Sequence, residues 1–310
     1  MADWELVIIG AGPAGLAAGI YGVRSGLKTL VLEEKIAGGT VVDAPVIENY
    51  LGFPSISGFD LAQKMVDHAK NLSVSIHEFE AITKLNLKGE EKIVTTDKGA
   101  YSAKALIIAS GSRYRELGVP GEREFRGRGV SYCGLCDGPL FKGKRILVVG
   151  GGNSALITTL YLAGLAAEVK IAHRRDSFRA EEALVRAIEK KENVKILWDT
   201  EVKEIKGEKL VNKTVLLNSK TQMTQELQVD GVFVQVGEDP NSQLARDAGV
   251  AVNEDGYVIV DMLQRTNILG VYAAGDVTNH PVKQIGTAVG QGITAAIEAY
   301  GHVRRPYYYK

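Results

Sequence analysis

Only two cysteines occur in the 310-residue chain, which excludes a disulfide framework. A structural zinc site is also disfavoured, because neither two further cysteines nor a nearby histidine pair exists to complete four ligands. Charge of one sign is missing as well: 37 Lys and Arg balance 37 Asp and Glu. Without a net field, nucleic acid and an anionic membrane are poor default partners, and a small ligand or a protein is the better one. No apolar run approaches the roughly 20 residues of a membrane helix; Leu106-Ile107-Ile108-Ala109 is typical of those present. The start, Met1-Ala2-Asp3-Trp4-Glu5, has no basic segment and no small-residue cleavage site, so a soluble, cytoplasmic protein is expected. In that reducing compartment the C-x-x-C spacing of Cys133 and Cys136 points to redox or metal chemistry rather than to a structural staple.

What the chain does have is glycine, 35 residues of it, clustered between apolar runs. The first cluster follows the apolar strand Leu6-Val7-Ile8-Ile9. It reads Gly10-Ala11-Gly12-Pro13-Ala14-Gly15, opens a helical pattern to about Ser25, and leads to a second strand, Thr29 to Leu32, that ends at Glu33. This is a β-α-β unit with a G-x-G-x-x-G turn and an acid at the end of its second strand. The unit is then written again. Strand Ile146 to Val149 leads into Gly150-Gly151-Gly152-Asn153-Ser154-Ala155, a helix to about Leu165, and strand Val169 to Ala172. Each copy continues into short alternating strands with turn signals and an apolar strand ending in glycine. The expected fold is α/β, with two Rossmann-like nucleotide-binding domains of three-layer ββα type, the second inserted into the first. The boundaries predicted are 1–116 with 245–310 for the outer domain and 117–244 for the inner, joined by hinges near Tyr114 to Val119 and Asp239 to Leu244.

Glycine lets a backbone approach a pyrophosphate, and a helix N-terminus supplies free N–H groups. Glu33 can accept from adenosine ribose hydroxyls, which suits FAD or NAD. The frame that aligns Gly10 with Gly150 sets His173 opposite Glu33, followed by Arg174, Arg175 and, after a turn, Arg179. Exchanging the acid for a basic cluster removes repulsion and adds donors for a 2′-phosphate, so NADPH is the expected second nucleotide. Cys133-Gly134-Leu135-Cys136 precedes the second unit; its ring closes a short reducible disulfide in which one sulfur can be a stabilised thiolate. Asp137 follows directly, as a proton relay or as an ordinary turn residue before Gly138.

With GAGPAG, Gly38-Gly39, Glu48-Asn49-Tyr50-Leu51-Gly52-Phe53-Pro54, CGLCD, GGGNSA, HRRDSFRA and AAGDV all in order, the chain resembles the low-molecular-weight thioredoxin reductases over essentially its whole length. The resemblance implies a homodimer that reduces a thioredoxin-like small protein. It implies FAD at Gly10, Gly12, Pro13, Ala14, Gly15, Glu33, Gly39, Thr40, Asn49, Ala109, Gly111, Gly275, Asp276, Lys283, Gln284 and Ile285. NADPH is implied at Gly152, Asn153, Ser154, Ala155, His173, Arg174, Arg175 and Arg179. Cys133, Cys136 and Asp137 become the catalytic set, with Cys136 facing the flavin and Cys133 attacking the substrate.

Three positions depart from the family pattern: Thr40 for the usual Gln, Lys283 for Arg, and Asn153 for Asp. The first two touch the flavin environment; the third removes a negative charge beside the nucleotide. The tail through Tyr307-Tyr308-Tyr309 is more aromatic than usual and is either a disordered end or a cover for a ligand surface. Rival readings are a relative of the same fold that draws on reduced deazaflavin or ferredoxin, and a flavin redox sensor without turnover.

Overall fold

The computed structural model describes residues 3–44 and 46–304; the tyrosine-rich tail from Arg305 lies outside the described residues. By its internal contacts the chain divides into two units, Met1–Arg113 with Asp239–Lys310, and Tyr114–Glu238. The second crossing thus falls at Glu238–Asp239 rather than at the predicted 244–245. Asn241 explains the difference, since its N–H donates to the carbonyl of Gly111 and its side-chain amide to that of Ser110. Leu244 likewise packs into the core of the first unit.

The first unit is organised by strand Trp4–Ile9, whose last four residues are buried. Such an apolar run without alternation is what a strand covered on both faces requires. It pairs in parallel with Thr29–Leu32 on one side and with Ala100–Ile108 on the other, and Ser75–His77 extends the sheet beyond Thr29–Leu32. The far edge of the long strand is shared: its first half pairs antiparallel with Lys92–Thr96, and Leu106–Ile108 pairs in parallel with Val271–Ala273. Side chains alternate across the sheet. Leu6, Ile8, Val31 and Ile107 face the helices, whereas Val7, Ile9, Leu30 and Ile108 face the small meander and the later loops around Val258 and Val277. The result is three layers.

Helix Pro13–Arg24 begins with proline at its first turn, where the missing N–H costs nothing and φ is already helical. It lies against the last helix, Ile285–Arg304, at a backbone-to-backbone contact. A Cβ built on Gly292 would stand 2.1 Å from the carbonyl oxygen of Ala14. In an open helix Gly→Ala stabilises by up to about 1 kcal/mol; here the overlap is with backbone, which cannot swing aside. Gly292→Ala is therefore expected to destabilise by about 1 to 3 kcal/mol and to lower the melting temperature. A variant melting at or above wild type would show that the two helices separate freely.

The second unit repeats the plan. Five parallel strands run in the order Val194–Leu197, Glu168–Ala172, Arg145–Val149, Gly231–Val234, Val130–Ser131. One face packs on helices Asn153–Ala163 and Glu182–Glu189 through Ile146, Val148, Ile171 and Phe233. The other packs on a three-stranded antiparallel sheet, Thr200–Gly207, Val211–Asn218 and Thr224–Gln228, through Leu147, Val149 and Val232. Among the described residues no helix is long and apolar enough to cross a membrane.

Candidate functional site

Each unit holds one cavity at the glycine turn of its β-α-β segment. In the first it measures about 560 Å³ and is lined by Gly10, Gly12, Pro13, Ala14, Glu33, Gly39, Thr40, Ala109, Gly111, Gly275 and Asp276. The neighbouring Lys35, Phe79, Ser110, Asn241 and Ala288 also line it; none of these was singled out in the sequence, because they carry no motif of their own. Gly10 has φ +97 and touches the backbone of Ala109, and a Cβ on Gly39 would lie 2.9 Å from Cα of Gly12. The lining is therefore bare backbone where a phosphate chain has to come close. Gly12 caps the helix without a side-chain hydrogen bond, so the first-turn N–H groups face the cavity. Glu33 is fixed at the far end by the N–H groups of Ala11 and Lys35, at 2.8 and 2.9 Å. A dinucleotide with its pyrophosphate on the turn and a ribose at Glu33 fits this cradle.

Five of the expected residues stand elsewhere. Gly15 lies behind the turn, where a Cβ would overlap the carbonyl oxygen of Gly10 at 1.8 Å; it lets the helix approach the strand. Asn49 donates to Oε1 of Gln284 at 3.3 Å, and Ile285 packs with Val41 and Leu61. Lys283 donates to the carbonyls of Asp276 and Thr278 and lies over the ring of Tyr257. It reaches the cavity through the loop it braces.

The second cavity, about 610 Å³, is lined by Gly150, Gly151, Gly152, Asn153, Ser154, His173, Arg174, Arg175 and Arg179, together with Arg115, Thr200, Glu201, Gln235 and Gly237. Ala155 is fully buried beneath the turn. Arg179 is tied to the glycine loop by its N–H, which donates to the Gly151 carbonyl at 2.8 Å. His173 is buried; one ring nitrogen lies 3.0 Å from the Ser177 carbonyl, and the ring packs near Phe178 and Trp198. Burial pushes its pKa below the ordinary histidine value, opposed by the Ser177 carbonyl and reinforced by Arg175, Arg174 and Arg179. His173 thus forms a neutral floor beneath Gly151, whose absent Cβ would overlap the ring at 2.3 Å. Asn153 accepts from the Glu181 N–H at 2.8 Å and donates to the Glu181 carboxylate at 3.0 Å. An aspartate could not make the second bond, which accounts for asparagine here.

The redox turn belongs to the same unit as this second cavity. Cys133 and Cys136 form a disulfide with Cα atoms 5.3 Å apart, at the start of the short helix Gly134–Asp137. Cys136 N–H donates to the Cys133 sulfur at 3.2 Å. Gly134 and Gly138 let the turn sit on helix Asn153–Ala163, where added Cβ atoms would meet Thr158 at 2.5 Å and Tyr161 at 2.7 Å. Asp137 accepts from the Ser131 hydroxyl at 2.6 Å. Burial pushes its carboxyl above the ordinary aspartate range, and that hydroxyl pulls it back. The buried carboxylate of Glu122 accepts from the Leu117 and Gly118 N–H groups and from the Tyr132 hydroxyl, at 2.8, 2.7 and 2.9 Å. Ser131, Tyr132 and Glu122 were not read from the sequence, although Ser131 lies only two places before Cys133. Among the described residues no group of three or more His, Cys, Asp or Glu could hold a metal ion.

Similar proteins agree with this arrangement. Residues 4–292 match the pyridine nucleotide-disulphide oxidoreductase family. A 34.2 kDa protein in the rubredoxin operon of Clostridium pasteurianum is 44% identical over 96% of this chain and 97% of its own. Thioredoxin reductase of Bacillus subtilis is 42% identical over 94% of this chain and 92% of its own. The crystal structure of thioredoxin reductase from Streptococcus pyogenes superposes with a TM-score of 0.93 at 38% identity, covering 98% of this chain and 99% of that one. With two glycine-turn cavities and a C-x-x-C disulfide in the unit that bears the basic one, the chain belongs to the pyridine nucleotide-disulphide oxidoreductase family.

Proposed function

We propose that the protein is an NADPH-dependent, FAD-containing thioredoxin reductase. The observation that carries the reading is the Cys133–Cys136 disulfide on a unit whose nucleotide cavity ends in Arg174, Arg175 and Arg179. The basic strand end favours NADPH over a deazaflavin or ferredoxin donor, because a 2′-phosphate is the anion it suits. FAD is assigned to the cavity at Gly10 and Glu33 and NADPH to the cavity at Gly152 and His173. Bound there, they supply a hydride from the nicotinamide and an electron pair to the disulfide.

The chain's own residues do the sulfur chemistry. Once the disulfide is open, the Cys133 thiolate attacks one sulfur of the partner disulfide. A mixed disulfide forms and the second partner sulfur leaves with the electron pair. Cys136 then attacks the Cys133 sulfur, restores the intramolecular disulfide and releases the partner as a dithiol. Asp137 holds a proton beside the turn for the Cys133/Cys136 pair, and the two sulfurs of the released partner take their protons from solvent. The acceptor is a thioredoxin-like small protein and the working form a homodimer, as the resemblance implies, and the N-terminal sequence favours the cytoplasm as its compartment.

Anaerobic titration of the dimer isolated by size exclusion tests this reading. NADPH is expected to bleach the flavin spectrum at far lower concentration than NADH, and oxidised thioredoxin to restore it. Bleaching by neither nucleotide, or no recovery with any thioredoxin, would defeat it.

A further inference from the structure

Ser131 lies on the two-residue strand that leads into the redox turn, and it is buried. Its hydroxyl has three polar neighbours: Oδ2 of Asp137 at 2.6 Å, the N–H of Cys133 at 3.1 Å and the carbonyl oxygen of Cys133 at 3.3 Å. The N–H can only donate, and the carbonyl can only accept. The serine oxygen therefore takes the N–H, and its single hydrogen has two places to go. With Asp137 ionised, it goes to Oδ2. With Asp137 protonated, the carboxylic acid donates to the serine oxygen and the serine hydrogen turns to the Cys133 carbonyl. Both protonation states of a half-buried carboxyl are satisfied, and no heavy atom has to move.

From this geometry we propose that Ser131 is a positioning residue for the proton that accompanies disulfide reduction, holding Asp137 against the redox turn whether or not that carboxyl carries it. The inference rests on the disulfide reductase reading. Two electrons from the nicotinamide donor break the Cys133–Cys136 bond and leave two thiolates. One takes the proton of Asp137 and becomes a thiol, the other stays ionised, and Asp137 becomes a carboxylate that Ser131 now donates to. When the partner disulfide reoxidises the pair, the proton returns to Asp137. A serine is needed because alanine offers neither donor nor acceptor, and a backbone N–H in its place could serve only the carboxylate.

Among the described residues, the Ser131 hydroxyl is the side-chain group bonded to this carboxyl. The helix of Asp137 packs on Asn153–Ala163 and on the turn Gly138–Phe141, whose only titratable side chain is Tyr161. Neither element carries a charged residue, and the two cysteines titrate only when reduced. Burial raises the carboxyl toward the range where it can hold a proton, and the Ser131 hydroxyl opposes that rise.

The test is a redox titration of the Cys133–Cys136 pair in the FAD-loaded protein against dithiothreitol, reading free thiols as a function of pH, so that no thioredoxin is needed. In wild type the potential should change slope where Asp137 titrates, and Asp137→Asn should remove that break. Ser131→Ala withdraws a donor from the carboxylate, so the break should move to higher pH by about one unit, while Ser131→Thr keeps it in place. In the Asp137→Asn background Ser131→Ala should change nothing further. A break unmoved in Ser131→Ala, or a shift that persists without Asp137, overturns the inference. If Ser131→Ala fails to retain flavin, infrared difference spectra of wild type take its place. A carboxylate band that appears on reduction and is missing in Asp137→Asn supports the inference, and its absence overturns it. Failure of NADPH or thioredoxin to exchange electrons with wild type would sink the functional reading alone, since the dithiothreitol titration does not use them.

Discussion

Cys136→Ser is expected to reduce NADPH-dependent thioredoxin reduction to background while FAD stays bound. With one sulfur missing, no intramolecular disulfide can close, and the electron pair that must leave with the reduced partner has no route. Flavin binding should survive, because the glycine cradle and Glu33 belong to the other compact unit of the chain. The remaining Cys133 can still open a partner disulfide but cannot be released from it. A thioredoxin lacking its resolving cysteine, its remaining cysteine first activated as a mixed disulfide with thionitrobenzoate, should therefore be captured by the Cys133 thiolate with release of thionitrobenzoate, and the stable protein–protein disulfide should be seen by mass spectrometry as one added partner mass. If the stable adduct forms instead in Cys133→Ser, through Cys136, the roles of the two sulfurs are exchanged. An adduct in neither variant, under any redox condition, would remove thioredoxin-type proteins as acceptors.

The double variant Arg174→Ala with Arg175→Ala should lose its preference for NADPH. A charge-assisted hydrogen bond contributes about 1.5 to 3 kcal/mol, and tenfold in affinity corresponds to about 1.4 kcal/mol. Arg174 is exposed and Arg175 only half-buried, so solvent screening favours the lower end for each. The Michaelis constant for NADPH should then rise about a hundredfold with little change in turnover, the pattern of lost ground-state binding. NADH, without the phosphate, should be unaffected, and added salt should reproduce part of the loss in wild type. His173 makes a useful control, because the ring is buried, bonded to Ser177 and held neutral. Its replacement should disturb the Gly151 turn and hence both nucleotides alike. A wild-type enzyme that used NADH equally well would remove the 2′-phosphate argument, and the substitutions Thr40 and Lys283 would be the first places to seek another donor.

The duplicated unit was legible in the sequence because its signals are local. An apolar strand, a glycine turn and a helical period are each set within a few residues by steric and hydrogen-bonding rules. The exchange of Glu33 for His173 with Arg174 and Arg175 was legible for the same reason, once the two copies were set in one frame. So was the pairing of Cys133 with Cys136, whose spacing already confines the ring.

Other features were decided only when distant segments came together. Helix Ile285–Arg304 covers Pro13–Arg24 through Gly292 and Ala14, a contact that no local pattern announces. Asn153 lines the second cavity while bonded to Glu181, and Gly15 and Ala155 lie behind their turns. Arg115 and Gln235 join Gly150 in one cavity. The largest addition is at the redox turn, where Ser131 and Glu122 stay silent in the sequence because a buried hydroxyl and a buried carboxylate have no period and no motif. Their partners are set by hydrogen-bond satisfaction inside a packed core. The sequence by itself determined which chemistry the chain can hold; the tertiary structure decided which side chains face it, because only packing fixes where a buried polar group finds its partner.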